Sequence, residues 1–176
     1  MRHRLVWPGP VITPDYCGTM ARYNQWQNKS LLDATDALDE AARETDRGAF
    51  FGSIRATFSH LLWADTIWMS RIDGWTAPGT GIPGSAAFTA DWASVTALRP
   101  RADRRIVEWS GRVRVIEGNL SWFSGAMQRD VTRPLALCLM HFFNHQTHHR
   151  GQIHAMLTAA GARPGDTDLF IMPEEA

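Results

Sequence analysis

Residues 141–154 read His-Phe-Phe-Asn-His-Gln-Thr-His-His-Arg-Gly-Gln-Ile-His, and no other stretch constrains the chain as strongly. His141, His145 and His149 stand four residues apart, so a helix sets them on one face. Two imidazoles one turn apart can converge on a single divalent ion at the ~2.0–2.1 Å that zinc requires. Such a pair provides two ligands, and a third has to come from a different element. The best outside candidate is His60, within Phe-Ser-His-Leu-Leu-Trp-Ala-Asp at 58–65. Ala64 follows it by one turn and Ile67 by two, so His60 looks toward packed surface. Helical bundles build metal sites from side chains on facing helices. A histidine on an apolar face is equally an ordinary core residue, and the run is also readable as a partly buried polar seam. His3 reads as a terminal residue and His154 as a surface or interface one.

The rest of the chain is dominated by helical periodicity. Tyr16, Met20, Tyr23, Leu31, Ala34 and Leu38 recur at helical spacing, with Asp15 as the expected cap. Gln27 interrupts that stripe, at a polar cavity or a boundary position. A second helix is expected from about residue 49 to 72, with Phe50, Ile54, Phe58, Leu61, Trp68 and Ile72 buried and Gly74 just past its end. Residues 74–87, dense in Gly and Pro, read as an ordered loop lying across the bundle. Residues 91–115 read as a third helix that Pro100 kinks or restarts. A short hairpin is possible over 119–132. The last helix opens at Thr132 and Pro134 and closes at Gly161, and the tail folds back through Leu169, Phe170 and Ile171. The sum is an all-α chain, one domain over 1–176 behind an irregular lead-in at 1–14, built as a four-helix bundle with one long crossover loop.

Several function classes drop out. Eighteen Lys and Arg balance eighteen Asp and Glu, which argues against a broadly basic surface for nucleic acid. Apolar runs stop well short of the roughly 20 residues that span a bilayer. The opening residues, broken by Pro8, Gly9 and Pro10, do not read as a signal peptide. Cys17 and Cys138 are too few for a disulfide framework or a Cys-rich zinc site, so a reducing cytoplasm is the expected compartment. A zincin protease needs Glu where Gln146 stands. A ferritin-like di-iron site needs inward Glu residues that the last helix lacks near its histidines. Nucleophile elbow, P-loop and dinucleotide fingerprint are all absent from the sequence.

The segment Asn144-His145-Gln146-Thr147-His148-His149-Arg150-Gly151-Gln152-Ile153, with residues 58–65 before it, resembles the DinB-like family of small metal-binding helical bundles (DinB/YfiT type). Tyr23-Asn24-Gln25-Trp26 and residues 46–52 are similar to it as well, and the likeness runs from about Tyr16 to Met172. The resemblance implies a four-helix bundle that holds one divalent metal ion, commonly zinc or nickel, on three histidines. Carried onto this chain, the ligands are His60, His145 and His149. His148 stands where other members have Tyr and is not made a ligand, while His141, one turn further from His60, lines the pocket. A homodimer is implied too.

The chemistry that the resemblance implies is metal-dependent transfer or hydrolysis of a small molecule, with transfer of a low-molecular-weight thiol to an electrophile favoured. No catalytic residue is assigned beyond the ligand set. Asn24, Gln27 and Asp65 are candidates for polar contacts in the pocket or for structural positions. Arg150 is expected to bond a neighbouring loop or carboxylate. Gly151 is expected to allow close packing of backbones. Cys138, two turns before His145 on the same side, reads as a buried, inert thiol. The alternative is a non-enzymatic metal- or ligand-binding stress-response protein whose Trp side chains form a dimer face.

Overall fold

The computed structural model describes residues 12–174. It contains α1 (Pro14–Asp36), α2 (Glu40–Glu44), α3 (Ile54–Ile72), α4 (Trp92–Arg112) and α5 (Leu135–Ala159), with strands β1 (Asn119–Ser124) and β2 (Arg129–Pro134) between the last two helices. The chain is mostly helical with one small antiparallel sheet. The hairpin falls where the sequence allowed one, and Trp122 pairs across it with the buried Val131. The expected lead-in, His3 included, lies outside the described residues up to 11, and Pro14 already opens α1.

Helix boundaries follow local chemistry, with corrections to the expected ones. The cap of α1 is Thr13, whose hydroxyl accepts from the Tyr16 amide at 3.1 Å, and not Asp15. Pro14 then takes the first helical position, where its missing N–H costs nothing. The second long helix begins at Ile54 behind a Ser53 cap, five residues later than expected. Gly48 and Gly52, at φ of 76° and 75°, hold residues 46–52 in a turn that no helix can enter. That turn leaves Phe50 83% exposed instead of buried, and the short α2 before it was not expected at all. The last helix starts at Leu135, since Thr132 and Pro134 belong to β2. Gly74 and Gly161 follow α3 and α5 with positive φ, as their positions suggested.

Pro100 neither restarts nor ends α4, which runs through it from Trp92 to Arg112. An interior proline costs a helix about 3 kcal/mol. Burial of Val95, Arg99, Ala102, Ile106 and Trp109 on both sides of the proline supplies the compensation. The tail does return to the body, though not through Leu169, Phe170 and Ile171, of which Phe170 is 85% exposed. Backbone groups hold it: Tyr23 Oη donates to the Thr167 carbonyl at 2.6 Å and Gln27 Nε2 to that of Asp166 at 2.9 Å. Gln27 therefore breaks the apolar stripe because it anchors the tail.

One polar layer organises the interior. Asn24 and Asn28 of α1, Asp65 of α3, Arg99 and Asp103 of α4 and Gln146 of α5 are all buried and linked. Arg99 donates to Asp65 at 2.5 Å and pairs with Asp103 at 2.8 Å. Gln146 donates to Asp65 at 2.8 Å, Asn28 to Asp103 at 2.8 Å, and Asn24 to Gln146. The apolar core lies on either side of this layer. One half holds Cys17, Ala21, Met69, Ile106, Trp109, Leu139 and Phe143. The other holds Leu31, Ile54, Phe58, Val95, Ile153 and Leu157.

Crossing from one half to the other fixes each helix's direction. α1 and α5 pass from the first half to the second along the chain, and α3 and α4 pass the other way. Helices α3 and α4 therefore run parallel, and residues 73–91 have to travel the length of the molecule between them. That is the physical reason for the long Gly- and Pro-rich crossover, and it carries the loop past His60.

Candidate metal centre

α3 delivers His60, α5 delivers His145 and His149, and one ring nitrogen from each lies within 4.8 Å of those of the other two. The Nε2 atoms of His60 and His145 are 3.3 Å apart, and those of His149 and His145 are 3.1 Å apart. Nitrogens at tetrahedral corners around an ion at ~2.0–2.1 Å stand about 3.3–3.4 Å from each other. The spacing thus fits one small divalent ion, and a three-histidine group of this kind could hold one.

The rings are oriented from outside the triad. Ser85, fully buried in the crossover's 3-10 turn at 82–87, sits 2.8 Å from His60 Nδ1. Gln152 Oε1 sits 2.8 Å from His149 Nδ1. An acceptor at Nδ1 keeps the proton there and leaves the Nε2 lone pair free, as metal-ligating histidines require. Phe51 stacks on His60 with ring centroids 3.9 Å apart and covers the same edge of His149 at 5.5 Å.

Sequence reasoning missed these three partners, for different reasons. Gln152 was legible at helical spacing of three from His149. Phe51 carried a weak signal, since its neighbour Phe50 was taken for the buried ring. Ser85 carried none, because nothing local says which loop residue ends beside His60.

Burial sets the electrostatics of the triad. It pulls His145 down to about 3, helped by the charges of His149, His60, His141 and His148, and pulls His60 down to about 4, helped by His149. His149 is lowered as well, by burial against the opposing Gln152 bond. All three rings are neutral lone-pair donors at pH 7. Below an unfolded value of 6.5 the unfolded chain takes up protons that the folded rings refuse, so folded stability falls as pH falls. Asp103, pushed up to about 6 by burial against the attraction of Arg99, works in the opposite sense as one group against three. Metal-free protein is therefore expected to melt at progressively lower temperature from pH 7 to 5, by up to about 1.4 kcal/mol per pH unit for each histidine. Calorimetry on wild type and His145→Gln checks this: the variant should be less sensitive, and a flat wild-type profile contradicts neutral buried imidazoles.

The other candidates fall elsewhere. His141 sits beside the triad, its ring 5.6 Å from that of His145 and 5.0 Å from that of Trp68. His148 points outward and touches Gln152, and His154 borders a cleft on the far side of α5 with Tyr23 and Arg150. Asn24 and Asp65 belong to the buried layer and Gln27 to the tail anchor, so none of them reaches the centre as a polar contact. Arg150 makes no carboxylate bond among the described residues. It is buried 5.3 Å from the Tyr23 ring centre and donates to Thr147 at 3.3 Å. Gly151 permits no close backbone contact either, since a Cβ there would meet nothing within 4 Å. Cys138 is buried, and burial raises its thiol pKa.

No helix among the described residues is long and apolar enough to cross a membrane. A search of curated proteins finds no match to the chain. The model of the DinB family matches residues 12–176, nearly all of it.

Proposed function

The chain belongs to the DinB family, and from that premise we propose that it is a metal-dependent enzyme acting on a small molecule, with thiol transfer to an electrophile as its favoured chemistry. Carrying the reading is the convergence of three neutral imidazoles, from two helices, at the spacing of a single divalent ion. His60, His145 and His149 are the ligands in this reading and zinc or nickel the ion. The four long helices packed around a shared layer support a four-helix bundle of one domain, and the reading places it in the cytoplasm as a homodimer on the family likeness alone.

His60, His145 and His149, all neutral, would hold a divalent ion without compensating its charge. A divalent ion held there would supply Lewis acidity toward a thiol near neutral pH. The protein's own groups do the rest. Ser85 and Gln152 hold two rings in the tautomer that points Nε2 inward. Phe51 shields one edge from water, and the Trp68 and His141 side offers an apolar wall where an electrophile can lie against the thiol.

The test is thioether formation from a low-molecular-weight thiol and chlorodinitrobenzene, followed by absorbance. Metal-loaded wild type should outpace the uncatalysed reaction, and metal-free protein and His60→Ala should not. Stoichiometric metal with no turnover across thiols and electrophiles would favour a non-enzymatic metal-binding protein.

A further inference from the structure

A run of side chains leads away from the three histidines through His141 and Trp68 and ends on a cation. His60 and Arg71 lie three turns apart on α3 and only about 20° apart around its axis, so they share a face. Opposite them, His149, His145 and His141 form a line along α5. Arg71 stands at the hairpin end of this run, half-buried beside two tryptophans that touch each other. Its guanidinium carbon is 4.8 Å from the Trp68 ring centre and 5.1 Å from that of Trp122 on β1. Trp68 and Trp122 meet edge to face at 5.4 Å, and Trp68 also contacts His141.

Among the described residues Arg71 has no carboxylate within ion-pair distance and no hydrogen bond, in contrast to Arg55, Arg99 and Arg112. Packing against two aromatic rings restricts the guanidinium without using its N–H donors. A planar fork held still with its donors free matches a carboxylate or phosphate bidentately. The molecule has already met the ordering cost that usually weakens such a contact. Between the triad and Arg71 the α3 axis rises about 16 Å, and the arginine side chain tilts back toward the helix N-terminus, which shortens the gap.

We propose that Arg71 is a specificity-determining anion anchor: the molecule bound at the three-histidine centre carries a negative group, a carboxylate or a phosphate, at its far end. This rests on the proposed metal-dependent reading for the near end of that molecule and adds the charge and length of the far end. A ligand that ends before the tryptophans gains nothing from Arg71. One long enough to reach Arg71 gains a charge-assisted pair.

The experiment uses cobalt-loaded protein and a series of ω-mercaptoalkanoic acids (mercaptopropionic, mercaptooctanoic, mercaptoundecanoic), each matched with the mercaptoalcohol of equal length. Calorimetry gives affinity, and the sulfur-to-cobalt absorption band reports whether sulfur reaches the metal. The expected result is an advantage of the acid over the alcohol of about tenfold, equivalent to 1.4 kcal/mol. It should be present only for the long members, absent in Arg71→Gln and partly kept in Arg71→Lys. The anchor is overturned if long acids and alcohols bind alike with the cobalt band present, and the thiol reading then survives alone. A long-acid preference that Arg71→Gln leaves intact overturns it as well. If the preference depends on Arg71 but no cobalt band develops, the anchor stands and the thiol reading fails. Absence of binding by every long acid overturns both.

Discussion

Purified wild-type protein dialysed without added metal will carry about one divalent ion per chain, and His60→Ala, His145→Ala and His149→Ala will each carry almost none. Removing one of three ligands leaves a two-imidazole site, which cannot compete with water for the remaining positions. His141→Ala, one turn along the same face, should keep its metal because its ring only borders the triad. The same variants separate binding from folding. An ion that binds only the folded chain at about 1,000 times its dissociation constant adds about 4 kcal/mol to stability. Chelation should therefore lower the melting temperature of wild type and His141→Ala and leave the three ligand variants unmoved. Elemental analysis beside calorimetry reads both effects. A wild type that stays metal-free after reconstitution removes the proposed enzyme along with the site.

Replacing Arg99 by Met will destabilise the chain by about 3–5 kcal/mol, because it strands two buried carboxylates. Arg99 is 0% exposed and is the only cation paired with Asp65 and Asp103 among the described residues. The loss is a large share of the 5–15 kcal/mol that typically separates folded from unfolded chains. By contrast, Lys29 and Asp33 form an ion pair with side chains 74% and 62% exposed, and Lys29→Ala should cost well under 1 kcal/mol. Urea unfolding of the two variants measures the difference. Neutralising the stranded groups as well, in Asp65→Leu/Arg99→Met/Asp103→Leu, should recover part of the loss, since a buried charge cluster can often be exchanged for apolar residues. A cost near zero for Arg99→Met would mean that the polar layer does not hold the four helices together.

This layer also separates what could be read along the chain from what could not. Asn24 and Asp65 were open to a pocket or a structural reading, and Gln146 entered only as the residue that stands where a zincin has Glu. Each is explained by a partner at least eighty residues away or on another helix, as with Gln146 and Asp65 at 2.8 Å. Arg99, the largest fully buried side chain, carried no sequence signal, since an arginine beside a proline in a polar stretch reads as surface. Arg150 failed in the converse way: its charge suggested a neighbouring loop or carboxylate, and packing gave it the Tyr23 ring and the Thr147 hydroxyl.

Local chemistry alone determined the helical character of the chain, the hairpin before the last helix, the glycine ends of α3 and α5, and the four-residue spacing that lines up His145 and His149. These depend on backbone preference and periodicity, which act over a few residues. Tertiary structure decided that α3 faces α5 at His60, that a parallel α3 and α4 require the crossover, and that Ser85 and Phe51 end beside the triad. It also decided that Trp68 and Trp122 meet beside Arg71. Such contacts join residues far apart in the chain, and their partners are chosen by burial of apolar halves around a linked polar layer, a condition on the whole fold that no single segment expresses.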